Sequence, residues 1–93
     1  MLSENYYIVR SQSTGRYLTA RPKSDDSVYL LLFRENFDAL SYLNTHAGEL
    51  ANRFAVEPLP GTQIGNFLKR WGFVGVGIVT DPLLPNVEFL QNI

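Results

Sequence analysis

The chain has 93 residues, of which 45% are hydrophobic and 18% are charged, and its formal net charge at pH 7 is −1. This length predicts a single domain over residues 1–93, and the composition is typical of a folded globular protein rather than a disordered chain. The near-neutral charge lacks the basic excess of most nucleic-acid-binding domains, so we expect no nucleic acid among the partners.

Residue types that support catalysis or metal binding are scarce. The sequence contains no cysteine and one histidine, which excludes thiol nucleophiles and thiolate metal sites and leaves little for a transition metal. We therefore expect no catalytic residues, no metal site and no cofactor. The N-terminal residues lack the pattern of a secretory signal, and no apolar stretch is long enough to span a membrane. We expect a cytoplasmic protein without a membrane partner.

The first third of the chain predicts three strands. Residues 5–10 (NYYIVR) and 16–20 (RYLTA) are rich in aromatic and β-branched side chains, and the polar turn between them predicts a hairpin. Residues 28–33 (VYLLLF) contain no charged side chain, which favours a strand covered on both faces.

Residues 35–48 change to a helical period. Asn36 is the expected N-cap, and Gly48 is expected to end the helix in the left-handed conformation. Four apolar residues spaced three or four apart predict the buried stripe of this helix: Phe37, Leu40, Leu43 and Ala47. Residues 53–59 (RFAVEPL) are expected to form the next strand.

Residues 61–72 (GTQIGNFLKRWG) carry the clearest helical pattern. Thr62 is the expected N-cap, and Gly72 is expected to end the helix with Phe73 packed back on its last turn. Four apolar residues predict a stripe that is buried against the sheet: Ile64, Phe67, Leu68 and Trp71.

The stretch WGFVGVGIVTDP (71–82) allows two interpretations, a phosphate-binding glycine loop or a buried strand. Its glycines follow neither known phosphate-binding spacing, and β-branched residues with the turn pair Asp81-Pro82 follow them instead of a helix. We therefore predict a central strand over 73–79. Gly75 and Gly77 point to one face, where a helix or another backbone can approach closely. A last short strand is expected over 86–90.

These elements follow the order β-β-β-α-β-α-β-β. We predict an α+β fold, a two-layer sandwich in which a mixed sheet carries both helices on one face. Strand–helix–strand alternation over 28–79 predicts right-handed crossovers, and hairpins at both ends of the chain add antiparallel edges.

This order and its short motifs resemble the N-terminal domain of SseB-type bacterial proteins. The segments LLLFREN, VEPLPGTQIGNFLKRWG and GFVGVGIVTDP occupy the places of three family features. These are a strand entering a helix, a strand ending in PL before a helix, and a glycine-containing strand followed by Asp-Pro. The resemblance covers residues 16–90 in pattern. It implies the fold above and no activity, because the family has no established one.

Several polar residues have structural explanations that we prefer to functional ones. His46 suits the negative end of its helix, and Asp81 suits a turn in which its side chain bonds nearby backbone. The pair Asp25-Asp26 lies in a polar loop without the spacing of a calcium-binding loop.

The last strand is the strongest candidate for a partner contact. Glu88 is the only charged residue in 85–93, so the strand has little protection if it lies at a sheet edge. We expect Val87, Phe89 and Ile93 to contact a second copy of the chain or another protein.

The leading hypothesis is a small non-enzymatic interaction or regulatory module that self-associates through an open sheet face or an edge strand. Five tyrosines suit such an interface, although tyrosines also fill the edges of cores. One alternative is a small-ligand-binding domain with a pocket between sheet and helices. Another is an RNA-binding accessory protein that uses Arg16, Arg21 and Lys23 near Tyr17.

Overall fold

The computed structural model describes residues 4–24, 26–84 and 86–91. The described strands are β1 (Asn5–Ser11), β2 (Thr19–Ala20), β3 (Tyr29–Leu32), β4 (Phe54–Pro60), β5 (Gly75–Asp81) and β6 (Asn86–Gln91). The helices are α1 (Asn36–His46) and α2 (Ile64–Trp71), with 3-10 turns at Gly48–Arg53 and Gly61–Gln63. This confirms the predicted α+β class and the predicted order of strands and helices.

Two sets of strands form the mixed sheet. One set has the order β2-β3-β5-β6, with β3 and β5 parallel and the other neighbours antiparallel, and the second set is the antiparallel pair β1-β4. Backbone hydrogen bonds join the sets, because Tyr7 and Phe33 each donate to the other's carbonyl at 2.9 Å, and the Leu18 N–H donates to the Val9 carbonyl at 2.9 Å. Among the described strands, β4 and β6 are therefore the outer ones.

The two helices cover opposite faces of the sheet, which differs from the prediction that both lie on one face. Leu30 and Leu32 of β3 belong to a buried cluster with Ile64 and Leu68 of α2. The alternate residues Leu31 and Phe33 belong to a second cluster, which contains two residues of α1, Ala39 and Leu43. Successive strand residues point to opposite faces, so each helix covers one of them.

The position of β4 explains this placement. Strand β4 is antiparallel to β1, and β1 is antiparallel to the end of β3, where Tyr7 bridges to Phe33. It follows that β4 runs parallel to β3 and lies on the far side of β1. The connection from β3 to β4 through α1 therefore runs toward one edge of the sheet. The connection from β4 to β5 through α2 runs back toward the other edge. Right-handed connections that run in opposite directions place their helices on opposite faces.

Helix α1 buries only part of the predicted stripe, since Leu43 is buried and Ala47 packs against the same core cluster, but the other two residues do not. Phe37 and Leu40 are 65% and 48% exposed, whereas Ala39 and Leu43, one helical turn apart, are buried. The small Ala39 side chain allows the helix to lie close to the sheet, which turns the larger residues outward. The N-cap is Glu35 and Asn36 is the first helical residue, whereas Gly48 has the expected left-handed backbone, with φ of 56°.

Helix α2 departs from the prediction at its start and in the exposure of Trp71, but not at its C-terminal end. Thr62 lies in a 3-10 turn and does not cap the helix, which begins at Ile64. Gly72 ends it as predicted, with φ of 76° and the Phe73 N–H donating to the Leu68 carbonyl at 3.0 Å. Trp71 is 47% exposed and not buried against the sheet, and its ring packs edge-on against Tyr17 and stacks on Phe67.

The glycine-containing stretch is a strand, as predicted. Gly75 and Gly77 lie in β5, whose first five residues are buried. A Cβ atom added to Gly75 would clash with the Leu90 carbonyl oxygen, and one added to Gly77 would lie 2.8 Å from the Val87 Cγ1. The close neighbour is thus the adjacent strand β6 and not a helix.

The exposure of Trp71 changes the expected cost of truncating α2. Ile64→Ala should lower the free energy of unfolding by about 2–5 kcal/mol, because Ile64 is fully buried. Trp71→Ala should cost less, about 1–3 kcal/mol, because the side chain is only about half buried, although its ring contacts with Tyr17 and Phe67 are also lost. Urea unfolding followed by far-UV circular dichroism measures both, and a larger loss for Trp71→Ala would contradict this placement.

The contact between Gly75 and β6 predicts a strong backbone effect. Gly75→Val should destabilise the fold by about 3 kcal/mol or more, because the new side chain would meet a backbone carbonyl that can move only with its strand. Gly77→Val is the matched control and should cost less, since the Val87 side chain can shift. Thermal unfolding measures both variants, and equal costs would contradict the close approach of β6.

Candidate functional site

The open edge of the sheet is formed by β6, as the sequence predicted. This strand pairs with β5 on one side, and no described residue pairs with its other side. Val87 and Phe89 lie on one face of β6 above Gly77, are half-buried, and leave part of their surface exposed. The Phe89 ring packs edge-on against Tyr29, with 4.9 Å between ring centroids. Ile93 lies outside the described residues, and the role of these residues in a partner contact stays a prediction.

The opposite edge of the sheet, at β4, is blocked by prolines. The backbone N–H and C=O of Tyr7 in β1 both bond Phe33 and therefore point away from β4. Pro58 lies opposite Tyr7, so the backbone groups of Pro58 point away from β1, and its nitrogen is on the outer side of β4. Pro60 is two residues further along and also has its nitrogen on that side. Proline has no N–H, so neither position can donate to an added strand. Phe54, also on this side, uses its N–H to bond Ala51.

Strand β6 carries no comparable protection. Its described sequence is NVEFLQ, with Glu88 as its one charge and no proline. The turn that precedes it adds the exposed apolar residues Leu83 and Leu84. A six-residue edge with unpaired backbone groups and adjacent apolar side chains is a typical site for strand addition.

Among the residues that the structure describes, the tyrosines do not form an open face of the sheet. Tyr6 and Tyr29 are buried, and the other three tyrosines, at 7, 17 and 42, are half-buried. They pack against the two core clusters under α1 and α2. The tyrosines therefore fill the core and its edges, and an association through the sheet has to use an edge.

A second polar and aromatic cluster lies around Tyr17. Its ring makes edge contacts with Phe67 and Trp71, each with 5.1 Å between centroids. Its hydroxyl donates to the Glu57 Oε1 at 3.3 Å, and the Glu57 carboxylate also accepts from Arg10, with a shortest contact of 2.7 Å. Arg16, Tyr17 and Trp71 line a cleft of about 320 Å³ beside this cluster.

The environment of Tyr17 raises the pKa of its phenol above the ordinary value. The largest cause is partial burial, which disfavours the charged phenolate. The negative charge of Glu57 and the hydrogen bond to its carboxylate act in the same direction, whereas the positive charge of Arg10 acts against them. Tyr17 is therefore held in its neutral, hydrogen-bond-donating form.

The remaining candidate residues have local contacts. The His46 Nε2 lies 3.1 Å from the Pro82 carbonyl oxygen, and its ring packs on Tyr42. The Asp81 Oδ1 accepts from the Leu83 N–H at 3.0 Å, the turn contact that the sequence predicted. Asp25 lies outside the described residues. In 4–24, 26–84 and 86–91, no three His, Cys, Asp or Glu residues are grouped to hold a metal ion.

Sequence reasoning missed two features of these sites. Nothing local connects Arg10 and Tyr17 to Glu57, because they are brought together by the pairing of β1 with β4 and by the bridge between Arg10 and Tyr17. The closed edge had a visible signal, since Pro58 and Pro60 in one predicted strand indicate an outer strand.

Comparisons with known proteins leave the family open. No family model, no curated protein and no solved structure matches the chain. The resemblance to the SseB-type domain therefore stays a prediction. Among the described residues, no helix has both the length and the apolar character needed to cross a lipid bilayer.

The raised pKa of Tyr17 predicts a specific pH dependence of stability. The folded state holds the phenolic proton more tightly than the unfolded chain. This contribution is fully present below the ordinary pKa of 10.0 and is lost as the pH rises through the folded-state pKa. Above pH 10, wild type should therefore lose more stability than Tyr17→Phe. Urea midpoints across this range measure the difference, and parallel pH curves would contradict it.

Proposed function

We propose that this chain is a small non-enzymatic interaction or regulatory module that associates with a second copy of itself through the open edge of β6. The observation that carries the proposal is the contrast between the two outer strands. Pro58 and Pro60 block the edge of β4, whereas β6 has one charge and no proline. Strand addition at β6 would satisfy backbone groups that have no protein partner in the described chain.

The self-complementarity of β6 supports a second copy as the partner. An antiparallel pair related by a two-fold axis brings the same strand together from both chains. In that arrangement, residues directly opposite each other lie on the same face of the continued sheet. The polar residues Asn86 and Gln91 stand at the two ends of the strand, and the apolar residues Val87, Phe89 and Leu90 stand between them.

Charge selects between the registers of such a pair. A register centred on Glu88 places two carboxylates opposite each other, which is destabilising. A register centred on Phe89 places two phenyl rings opposite each other and sets Glu88 beside the partner's Leu90. Aromatic pairs across strands are favourable, so we propose the register centred on Phe89.

The exposed residues before β6 extend the same surface. Leu83 and Leu84 are largely exposed in the turn that leads from β5 into β6. Their apolar surface would be covered if the partner chain extended beyond the six residues of β6. Burial of such surface adds to main-chain hydrogen bonds, which by themselves contribute little net free energy because they replace bonds to water.

A lysine at the centre of this interface should weaken it. Phe89→Lys places two like charges opposite each other in the proposed register and should raise the dissociation constant at least about tenfold, or about 1.4 kcal/mol. Sedimentation velocity at tens of micromolar measures the association, and circular dichroism checks that the monomer remains folded.

The matched control places the same charge on the blocked edge. Val56 is a half-buried apolar residue of β4, and Val56→Lys should leave the association unchanged. A wild-type chain that is strictly monomeric under these conditions, with no partner recovered from cells, would contradict the proposal. Equal weakening by both variants would show that the effect arises from loss of stability and not from the β6 edge.

A further inference from the structure

The cleft beside the last turn of α2 has the dimensions of a small-molecule site. Its volume is about 320 Å³, and its lining residues come from the start of β2 with the segment before it and from the end of α2 with the segment after it: Arg16, Tyr17, Thr19, Trp71 and Phe73. Ligand pockets commonly have volumes from about 300 to 1,000 Å³, so this cleft suits a molecule with one ring system.

The aromatic walls of the cleft are held in place by the end of α2. Trp71 is the last residue of the helix, and the left-handed Gly72 reverses the chain so that Phe73 lines the same cleft. The Phe73 N–H donates to the Leu68 carbonyl at 3.0 Å, which fixes this reversal. A wall fixed before binding loses little conformational entropy when a ligand enters.

The floor of the cleft is fixed by polar contacts. The Tyr17 hydroxyl donates to Glu57, and Glu57 is itself paired with Arg10. The Tyr17 ring packs edge-on against the Trp71 ring at 80°, and the Phe67 ring stacks on Trp71 at 29°. Trp71 nevertheless remains 47% exposed, an unusual loss of apolar burial for the one tryptophan of the chain. Its exposed indole surface is available to stack on a planar ring.

Among the described residues that line the cleft, the charged side chain is that of Arg16. Arg10 is neutralised by Glu57, whereas Arg16 is exposed and has no ion-pair partner among the residues that the structure describes. The backbone of Arg16 is anchored, since its N–H donates to the Thr14 Oγ1 at 3.2 Å and its carbonyl accepts from the Ser11 N–H at 2.7 Å. One guanidinium balances a monoanion and pairs well with a planar carboxylate.

We propose that this cleft binds a small planar aromatic monocarboxylate. The ring packs against Trp71 and Phe73, and the carboxylate accepts hydrogen bonds from the Arg16 guanidinium. A doubly charged phosphate would need a second cation, and Arg16 is the one cation among the described residues that line the cleft. This activity is separate from the association of β6, so it does not depend on the proposed function.

The indole N–H of Trp71 is a selective probe of the site, because the chain contains one tryptophan. Its resonance in a ¹H–¹⁵N spectrum is followed while benzoate is added. Two further probes each lack one feature of the proposed ligand: benzamide has the ring without the charge, and cyclohexanecarboxylate has the charge without the planar ring. We expect a saturable shift with benzoate and binding at least about tenfold weaker for each of the other two.

Arg16→Gln should weaken benzoate binding about tenfold while benzamide binding stays unchanged. Arg21→Gln is the matched control, since Arg21 is an exposed arginine nearby that does not line the cleft. The dispersion of the remaining resonances reports whether each variant is folded.

Three outcomes would overturn the proposal. One is the absence of a saturable shift with millimolar benzoate, and another is equal binding of the three probes. The third is a shift of the indole resonance on dilution without any ligand, which would show that a second copy of the chain covers the cleft.

Discussion

The fold depends on the pairing of two buried parallel strands, β3 and β5. All four residues of β3 and the first five residues of β5 are buried, so this pair has to be covered on both faces. Helix α1 covers one face and α2 covers the other. This placement follows from the position of β4, which connects the two helices and lies beyond β1. The two separate core clusters are the result.

Covering both faces restricts where a partner or ligand can bind. With a helix on each side, the sheet presents only its edges, and the helices present their outer surfaces and ends. The open edge at β6 and the cleft at the end of α2 are two places, among the residues that the structure describes, where apolar surface remains accessible. These two surfaces use different parts of the chain, since β6 ends the described sequence and the cleft combines Arg16 and Tyr17 with Trp71.

The parts of the structure that the sequence predicted are those set by neighbouring residues. The strands, the left-handed Gly48 and Gly72, and the Asp81 turn each depend on a few adjacent side chains. The outward turn of Phe37 and the exposure of Trp71 depend on contacts between distant segments, and a helical period cannot supply them. The Tyr17 cluster was missed for the same reason, because Tyr17 and Glu57 are 40 positions apart. The SseB-type resemblance and the functional hypotheses stay predictions.

The two prolines of β4 set an upper limit on growth by strand addition. Extended polymers, including amyloid-like fibres, require every chain to present two edges that accept a neighbour. A chain that pairs through β6 leaves only β4 outermost, and there Pro58 and Pro60 remove two of the donors that a further strand would need. In a dimer paired through β6 as proposed, these prolines would oppose the addition of a third chain, so the accessible edge would carry little risk of polymerisation.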